Sequence, residues 1–545
     1  MRKIRIRTVY FTVLLAAILF RSGALFEFLH SPLAQYSHIP GLDMKTHLEL
    51  GVLFGWGQGV FALYRLTTDL IRDVTGLVIL QSIAGCLTAL LTAFSAFRLF
   101  GKRTAALLAG LTAAWYGNAV LYELVTLPET LNVLTVSGAF AAVLQARRKH
   151  FALPWSMLAG VLLALCATGR PVNLVAVLAA LVWMGLFLCR RKNGRAAAAL
   201  AAGLLLVWGP VTLWNGLHGW PLPVYGSNFA YAAKIAGETH LTSWNVGETA
   251  EKISPLRIAA QFPGKFLKVF SIREIPDNIN YYFLKERFLF MRFAVPVALL
   301  VTAALAGMLT GLIRRDRRAG LLLLWLCALS VIFAAYYPAG RYRLILYPFF
   351  ALFAGYFLES LRHPDRALPG LAFVLVLALE WVFTPHPAVL RAADHTAWGM
   401  GQVLRNAQDD ADKEFMEALR LSNGAPRETA RVLHRLLLKN RPVEARRILR
   451  EYPGKDPYRR FYDALLDYGD GSVLAARQKL EALQGSVPPE VTAQYFYFLG
   501  EACLRTGAGR EAAAAYRELL TFARDPEKRR VIEEKIRAAE AMPQK

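Results

Sequence analysis

The chain has 545 residues, of which 55% are hydrophobic and only 19% are charged, and its mean hydropathy is positive. A soluble protein of this length would carry more charge, so the composition argues against a soluble enzyme. The net charge of +23 would suit a nucleic-acid-binding protein. The basic residues, however, lie in short clusters between apolar runs, as in the cytoplasmic turns of membrane proteins, and we therefore expect no nucleic-acid partner.

Apolar runs of about twenty residues, the length of a membrane-spanning helix, recur along the first two thirds of the chain. We predict about eleven spans. They are 8–28, 75–97, 104–122, 129–146, 152–168, 172–189, 196–214, 290–312, 319–337, 344–361 and 367–384. The first lacks a small-x-small cleavage site, which favours a true span over a cleaved signal peptide.

The positive-inside rule orients these spans. With the N-terminus in the cytoplasm, the basic clusters at 102–103, 147–149 and 314–318 all fall inside. The outer loops are then 29–74 and 215–289, and the chain after the last span lies outside as well. An even number of spans would reverse only the side of this last part.

From Arg391 onward the apolar runs give way to short amphipathic patterns. The segment 494–524, QYFYFLGEACLRTGAGREAAAAYRELLTFAR, has the large and small positions of a tetratricopeptide helix pair. We therefore predict an all-α fold. Residues 1–390 form a polytopic transmembrane domain, and 391–545 form a soluble α-helical tetratricopeptide-like repeat domain. This tail either caps the outer face or docks an acceptor or a protein partner.

Carboxylates in two different outer loops are the first candidates for chemistry. Asp43 follows a Pro-Gly turn in the first outer loop, and LYELVTLPETL places Tyr122, Glu123 and Glu129 at the same face. Partial desolvation there would raise a carboxylate's pKa and make it a better base near neutral pH. The alternatives are a helix cap for Asp43 and an interaction with the helix dipole for Glu129.

Cationic residues at the outer face run against the positive-inside rule and need another explanation. Arg170 lies in CATGRPVNL, and Arg341 and Arg343 lie in YYPAGRYRLILYP. Guanidinium groups bind phosphate oxygens in a fork, so a lipid phosphate is one explanation. Snorkelling of the side chains to the headgroups of membrane lipids is the other.

The outer loop 215–289 is rich in aromatic and amide side chains, among them Asn228, Asn280 and Tyr282. Aromatic rings stack on sugars and amides bond to hydroxyl groups, so this composition suits a carbohydrate ligand. It equally suits an aromatic belt at the membrane interface.

Taken in order, these motifs resemble the GT-C superfamily of integral membrane glycosyltransferases. They are most similar to the protein O-mannosyltransferase and lipid A aminoarabinose transferase branch, with its bacterial Rgt-like members. The resemblance covers roughly residues 8–360. It is carried by Asp43 in the first outer loop, LVTLPETLNVL at 124–134, LLALCATGRPVNLVAVLAALVW at 162–183 and GRYRLILYPFFALFAGYF at 340–357.

The resemblance implies a glycosyltransferase of the bacterial inner membrane that transfers a hexosyl or pentosyl group with inversion. The donor would be a polyprenyl-phosphate-linked sugar, and the acceptor a glycan, a lipid or a protein. Asp43 would be the general base, and Glu129 would orient a substrate or hold a metal. Arg170, Arg341 and Arg343 would stabilise the departing phosphate.

Other roles follow less directly from the resemblance. Lys45 and His47 follow Asp43 and would contact the substrate, although Lys45 could instead pair with Asp43. A divalent metal ion is required by some members of the superfamily only, so the cofactor stays unassigned.

Two rival functions remain open at this level. One is an O-antigen ligase or polymerase, enzymes that lack an essential acid in the first outer loop. The other is a transporter or assembly scaffold with a docking domain. Transporters place polar residues at mid-membrane, whereas the polar residues here cluster at the outer face.

Overall fold

The computed structural model describes residues 5–39, 42, 44–45, 67, 70–71, 73–150, 152–169, 177–178, 180–182, 184, 193–217, 255–335, 340–362, 367–383, 391–452, 456–523 and 526–542. These residues form helices and turns and contain no strand, apart from an isolated bridge between Tyr116 and Val295. The predicted all-α fold is therefore confirmed over the described residues.

The chain divides into two compact units, Met1–Val389 and Leu390–Lys545. The helices of the first unit are α1 (Ile6–Leu29), α2 (Val74–Phe100), α3 (Arg103–Ala114), α4 (Gly117–Glu123), α5 (Glu129–Arg148), α6 (Leu153–Gly169), α7 (Gly194–Leu217), α8 (Pro255–Val269), α9 (Tyr281–Arg287), α10 (Val297–Ile313), α11 (Arg317–Ala335), α12 (Gly340–Arg343), α13 (Tyr347–Ser360) and α14 (Ala367–Phe383). Short 3₁₀ turns occupy Pro32–His38, Phe290–Arg292 and Leu344–Leu346.

Among the described residues, three helices are long and apolar enough to cross a membrane, not the eleven that the sequence predicts. They are α1, α2 and the Gly194–Leu213 part of α7. Shorter apolar helices lie at Leu153–Ala167, Val297–Ile313 and Ala367–Ala378. Most of the sixth predicted span, 172–189, lies outside the described residues. Length explains part of the difference, because a helix rises only about 1.5 Å per residue and a span needs about twenty residues.

The third predicted span, 104–122, is interrupted. Helix α3 stops at Ala114, and α4 begins at Gly117 after Tyr116, which has an extended backbone conformation. The interruption coincides with a contact from far along the chain, since the Val295 amide donates a hydrogen bond of 2.8 Å to the Trp115 carbonyl. The short helix α4 is buried along its whole length.

Small residues allow several helices to approach closely. A Cβ added to Gly160 of α6 would lie 2.2 Å from the Leu200 carbonyl oxygen of α7, and one added to Gly203 would lie equally close to the Met157 carbonyl oxygen. Helices in membranes pack through such small residues, because no hydrophobic effect drives them together in lipid.

Four helices of the first unit pack side by side as a bundle: α2, α3, α10 and α13. The bundle has two opposite ends. One end carries Tyr116 and Tyr347, whose rings lie 5.2 Å apart. The other carries Phe100 and Tyr356, whose rings lie 4.9 Å apart. Because the first end carries the α4–α5 turn and α12, which are predicted to be extracytoplasmic, we call it the turn face.

The second unit is a series of amphipathic helices. They are α15 (Ala392–Leu404), α16 (Gln408–Leu421), α17 (Pro426–Leu438), α18 (Pro442–Glu451), α19 (Pro457–Gly469), α20 (Val473–Glu481), α21 (Thr492–Arg505), α22 (Gly509–Phe522) and α23 (Pro526–Glu540). Asn406, Asn423 and Asn440, which lie at the ends of successive helices, have positive φ and recur every 17 residues. Two such intervals match the 34-residue tetratricopeptide period, so this part of the tail is repeat-like.

Packing between α21 and α22 matches the expected large and small positions. Gly500 faces Tyr516, since a Cβ at Gly500 would lie 2.6 Å from the tyrosine ring. Cys503, Ala512 and Tyr516 belong to one buried cluster. The predicted helix pair is present in the tail.

Candidate functional site

The turn between α4 and α5 is anchored by a buried ion pair. Arg21 of α1 donates through Nε and Nη2 to the two carboxylate oxygens of Glu123, at 2.8 and 2.7 Å. Its Nη1 donates to the Ala114 carbonyl at 2.9 Å. Both side chains are about 97% buried or more. A two-pronged arginine–carboxylate pair fixes geometry as well as charge, so it holds α1 against the start of the turn.

Helix α2 supplies the other side of this anchor. The side-chain amide of Gln81 donates to the backbone carbonyls of Glu123 and Val125, at 3.0 and 2.8 Å. Gly85 lies one helical turn after Gln81 and leaves room for the Glu123 side chain. A Cβ at position 85 would lie 2.1 Å from a Glu123 carboxylate oxygen. The sequence grouped Glu123 with the substrate-binding residues, whereas the structure places it against Arg21.

The same turn also contacts the first outer loop. The Thr126 hydroxyl donates to the Met44 carbonyl at 3.0 Å and lies 2.9 Å from the Ser37 hydroxyl. Since Thr126 gives its proton to Met44, Ser37 donates to Thr126. Met44, which follows Asp43 in the chain, is fully buried here.

A second polar segment, residues 271–282, is part of the turn face. Asn280 caps α9 by accepting from the Tyr282 and Phe283 amides. The Tyr282 hydroxyl accepts from the Glu274 amide at 3.0 Å. Asn280 and Tyr282 therefore fold this segment back on itself, with Glu274 97% buried inside it.

Helix α12 holds this segment through both of its arginines. Arg343 is buried and donates to the backbone carbonyls of Arg273, at 2.7 Å, and Ser271. Arg341 forms an ion pair with Asp277, with Nε 2.7 Å from Oδ2, and also donates to the Tyr342 hydroxyl at 2.8 Å.

Tyr122 links the two parts of the turn face. Its buried ring lies within electrostatic range of Glu129, Glu274, Asp277 and Arg341. Side chains from α5, the 271–282 segment and α12 thus lie within electrostatic range of Tyr122 in α4. We call this group the polar cluster. Its members are Tyr122, Glu129, Glu274, Asp277, Arg341 and Arg343.

Burial shapes the electrostatics of the polar cluster. It raises the pKa of Glu274, and the nearby Arg343 opposes this shift. It also raises the pKa of Tyr282. Gly340 leaves room for the Glu274 carboxylate, because a Cβ at position 340 would lie 2.4 Å from Glu274 Oε1. The Gly340 amide also donates to the Ile275 carbonyl at 2.9 Å.

An apolar groove of about 540 Å³ lies between α2, α5 and α6. Its lining on α5 begins at Leu131, two residues after Glu129, and continues to Ala142. Leu91 and Phe94 of α2 and Trp155 of α6 line other parts of it. The groove is thus suited to a hydrocarbon chain.

The structure brings four of the predicted site residues, Tyr122, Glu129, Arg341 and Arg343, into the polar cluster, and it places Asn280 and Tyr282 in the adjoining segment. Glu123 lies apart, against Arg21. Lys45 is half-buried beside Met44. The other predicted site residues lie outside the described residues. They are Asp43, His47, Arg170 and Asn228.

Sequence reasoning missed Glu274 and Asp277 as members of the cluster, although both lie in IREIPDNINYYF. Two acids in an outer loop, close to the amides and tyrosines already proposed for sugar binding, were the available signal. The described residues contain no group of three or more His, Cys, Asp or Glu side chains arranged to hold a metal.

Comparison with known proteins gives distant structural similarities. No family model matches the chain. No curated protein matches it in sequence either. Among solved structures, the apo oligosaccharyltransferase of Archaeoglobus fulgidus aligns with a TM-score of 0.33 and 12% identity, covering 91% of this chain and 60% of that one. The chain thus spans about three fifths of that enzyme's length. Yeast Tom70 aligns with a TM-score of 0.21 and 13% identity, covering 83% of this chain and 95% of that one.

Proposed function

We propose that this protein is an inverting membrane glycosyltransferase that moves a sugar from a polyprenyl-phosphate donor to an acceptor hydroxyl at the extracytoplasmic face. The observation that carries the proposal is the polar cluster. Acidic and cationic side chains from segments more than two hundred residues apart lie there within electrostatic range of the Tyr122 phenol, and Arg341 pairs directly with Asp277. The cluster lies near an apolar groove that begins two residues after Glu129.

Asp43 is the base in this proposal, a role that the resemblance to GT-C glycosyltransferases gives it. The structure supports the assignment through its neighbour, since the Met44 carbonyl is bonded to Thr126 in the α4–α5 turn. Asp43 directly precedes Met44 in the chain, and the proposal is that its carboxylate acts beside this turn.

In the reaction, the Asp43 carboxylate takes the proton of the acceptor hydroxyl. The acceptor oxygen forms a bond to the anomeric carbon while the bond from that carbon to the phosphate oxygen breaks. The electron pair leaves with the polyprenyl phosphate. Holding acceptor and donor in line for this single displacement accounts for inversion, and positioning contributes much of the rate.

Charge compensation for the departing phosphate falls to Arg341. Arg341 pairs with Asp277 and bonds to the Tyr342 hydroxyl, which holds its guanidinium in the polar cluster. The planar guanidinium fork matches the geometry of phosphate oxygens. Arg343 is better suited to positioning, because two of its nitrogens donate to backbone carbonyls of the 271–275 segment. Glu129 and Tyr122 would orient the sugar or the acceptor.

The groove between α2, α5 and α6 would take the isoprenoid chain of the donor. Its lining is apolar, with Leu131, Leu134 and Leu162 among its side chains. A prenyl chain lying there would bring its phosphate towards the start of α5. This arrangement explains why a lipid-linked sugar, and not a soluble nucleotide sugar, would be the donor.

The decisive experiment is transfer by the full-length protein in liposomes supplied with polyprenyl phosphates carrying labelled hexoses or pentoses. Release of free polyprenyl phosphate reports turnover even when the acceptor is a crude glycan, lipid or protein fraction. We expect Asp43→Asn to lower the rate by about 10²–10⁴-fold, the usual contribution of a general base. Arg341→Gln should lower it as well.

Glu286→Gln is the matched control, because Glu286 is an exposed acid in α9 outside the polar cluster. Full transfer by Asp43→Asn would overturn the proposed mechanism. It would favour an O-antigen ligase or polymerase instead, since those enzymes lack an essential acid in the first outer loop.

A further inference from the structure

A second polar cavity lies at the end of the first unit opposite the turn face. Helix α2 ends here at Phe100 and α3 begins at Arg103, while α10 ends at Ile313 and α13 ends at Ser360. The far ends of α3, α10 and α13 approach the polar cluster. The cavity therefore faces the predicted cytoplasmic side and is separate from the proposed site.

This cavity has a volume of about 370 Å³. Three turns that are distant in sequence contribute to it. Its lining consists of Phe100, Lys102, Ala105, Arg314, Asp316, Arg318, Tyr356, Glu359 and Ser360. The described lining is net positive, with three cations and two carboxylates, and Arg103, Arg315, Arg317 and Arg362 lie close by in the sequence.

Both carboxylates already have partners within the protein. Asp316 accepts from the Arg318 amide at 2.8 Å, and it also bonds to the Tyr356 hydroxyl. Glu359 accepts from the Thr104 hydroxyl. These contacts hold both acids in the wall. Arg318 also donates through Nη1 to the Phe100 carbonyl at 3.2 Å, which holds its guanidinium at the cavity, and the three cations outnumber the two acids of the lining.

Apolar surface next to the cavity indicates what kind of anion fits. Leu312 and Ile313, which immediately precede Arg314, are 55% and 51% exposed. Phe100 forms part of the wall, and its ring lies 4.9 Å from the ring of Tyr356, another lining residue. A free phosphate ion would make no favourable contact with this apolar surface, whereas the acyl chains of a lipid would bury it.

We propose that this cavity binds the phosphodiester headgroup of an anionic lipid from the cytoplasmic leaflet. Lys102 and Arg318 contact the phosphate, and the acyl chains lie against Leu312 and Ile313. Basic pockets between helices on this side of a membrane are suited to acidic headgroups. The site is independent of the transfer reaction, so its test needs no substrate.

The test measures thermal unfolding of the full-length protein in a neutral detergent with added phosphatidylglycerol, with phosphatidylcholine of the same chains, or with inorganic phosphate. We expect saturable stabilisation by phosphatidylglycerol alone, because a ligand that binds only the folded state raises the unfolding temperature. The double variant Lys102→Gln/Arg318→Gln should bind phosphatidylglycerol about tenfold more weakly or worse, as expected from the loss of charge-assisted bonds.

Arg147→Gln/Arg148→Gln is the matched control. It removes the same charge at the end of α5, on the same predicted side but outside the cavity lining. An equal loss of affinity in this control would overturn the site in favour of diffuse charge attraction. Equal stabilisation by inorganic phosphate would overturn the lipid as ligand, and a lack of any saturable effect would overturn both.

Discussion

Thr126 donates a hydrogen bond to the carbonyl oxygen of Met44, which lies 82 residues earlier in the chain. This bond joins the first outer loop to the α4–α5 turn, the two places from which the sequence predicts catalytic acids. The geometry of the proposed site thus depends on a hydroxyl group that has no chemical role of its own.

Replacing Thr126 with Val removes this bond and leaves the buried Ser37 hydroxyl without its acceptor. We expect the protein to lose about 1–3 kcal/mol of stability, as when a buried polar partner is removed. Transfer activity should fall further than stability alone explains. Denaturant unfolding in detergent and liposome turnover measure the two effects.

Thr112→Val is the control for this change. The Thr112 hydroxyl donates only to the Leu108 carbonyl of its own helix among its described contacts. A control that loses as much activity as Thr126→Val would show that the tie to Met44 is irrelevant to the site.

The Arg21–Glu123 pair should show strong coupling in a double-mutant cycle. Arg21→Met or Glu123→Leu alone leaves one buried charge and should cost about 3–5 kcal/mol. The double variant should recover most of this loss, because two apolar side chains replace two compensated charges. Thermal unfolding of the four proteins measures the coupling, and additive losses would contradict it.

Gly340→Ala should disturb the polar cluster. The new methyl group would meet the Glu274 carboxylate, and overpacking of this kind costs about 1–3 kcal/mol. Glu274→Ala in the same chain should restore part of the loss. Gly320→Ala in α11 is the control, because a Cβ there meets nothing within 4 Å. Unfolding temperatures distinguish the variants. Equal unfolding temperatures for Gly340→Ala and Gly320→Ala would contradict the contact between position 340 and the Glu274 carboxylate.

The tail should lose stability in mild acid through His434. Burial lowers the pKa of this half-buried imidazole below its usual 6.5, with a smaller contribution from Arg435. The unfolded chain therefore binds the proton more readily, so the stabilisation is complete above about pH 6.5 and is lost as the pH falls below that value. The difference in unfolding temperature between wild type and His434→Gln should shrink from pH 7.5 to pH 5.5. An unchanged difference would refute the assignment.

The sequence predicts the long apolar helices well, because a run of about twenty apolar residues is a local property. Predicted span 8–28 corresponds to α1, 75–97 to α2 and 196–214 to α7. The prediction from sequence fails at 104–122. There the hydrogen bond from the Val295 amide to the Trp115 carbonyl accompanies a break in the helix that no local sequence pattern indicates.

The candidate site shows the same division between local and long-range information. Arg341 and Arg343 stand out from the sequence because outward cations contradict the charge rule, and the structure places both in the polar cluster. Glu123 stands out for its position in an outer turn, yet its partner lies 102 residues away. Sequence alone identifies unusual residues but not the side chains that they contact.

The separation between Arg21 and Glu123 has a consequence for biosynthesis. A ribosome completes α1 before it has made the residue that neutralises Arg21. An arginine at the centre of a newly inserted helix costs about 2.5–3.5 kcal/mol, and Arg21, eight residues before the end of α1, carries a smaller cost of the same kind. The first segment must therefore enter the lipid on the strength of its leucines, phenylalanines and alanines, carrying an uncompensated charge. The later synthesis of α4 then supplies the carboxylate that pairs with Arg21.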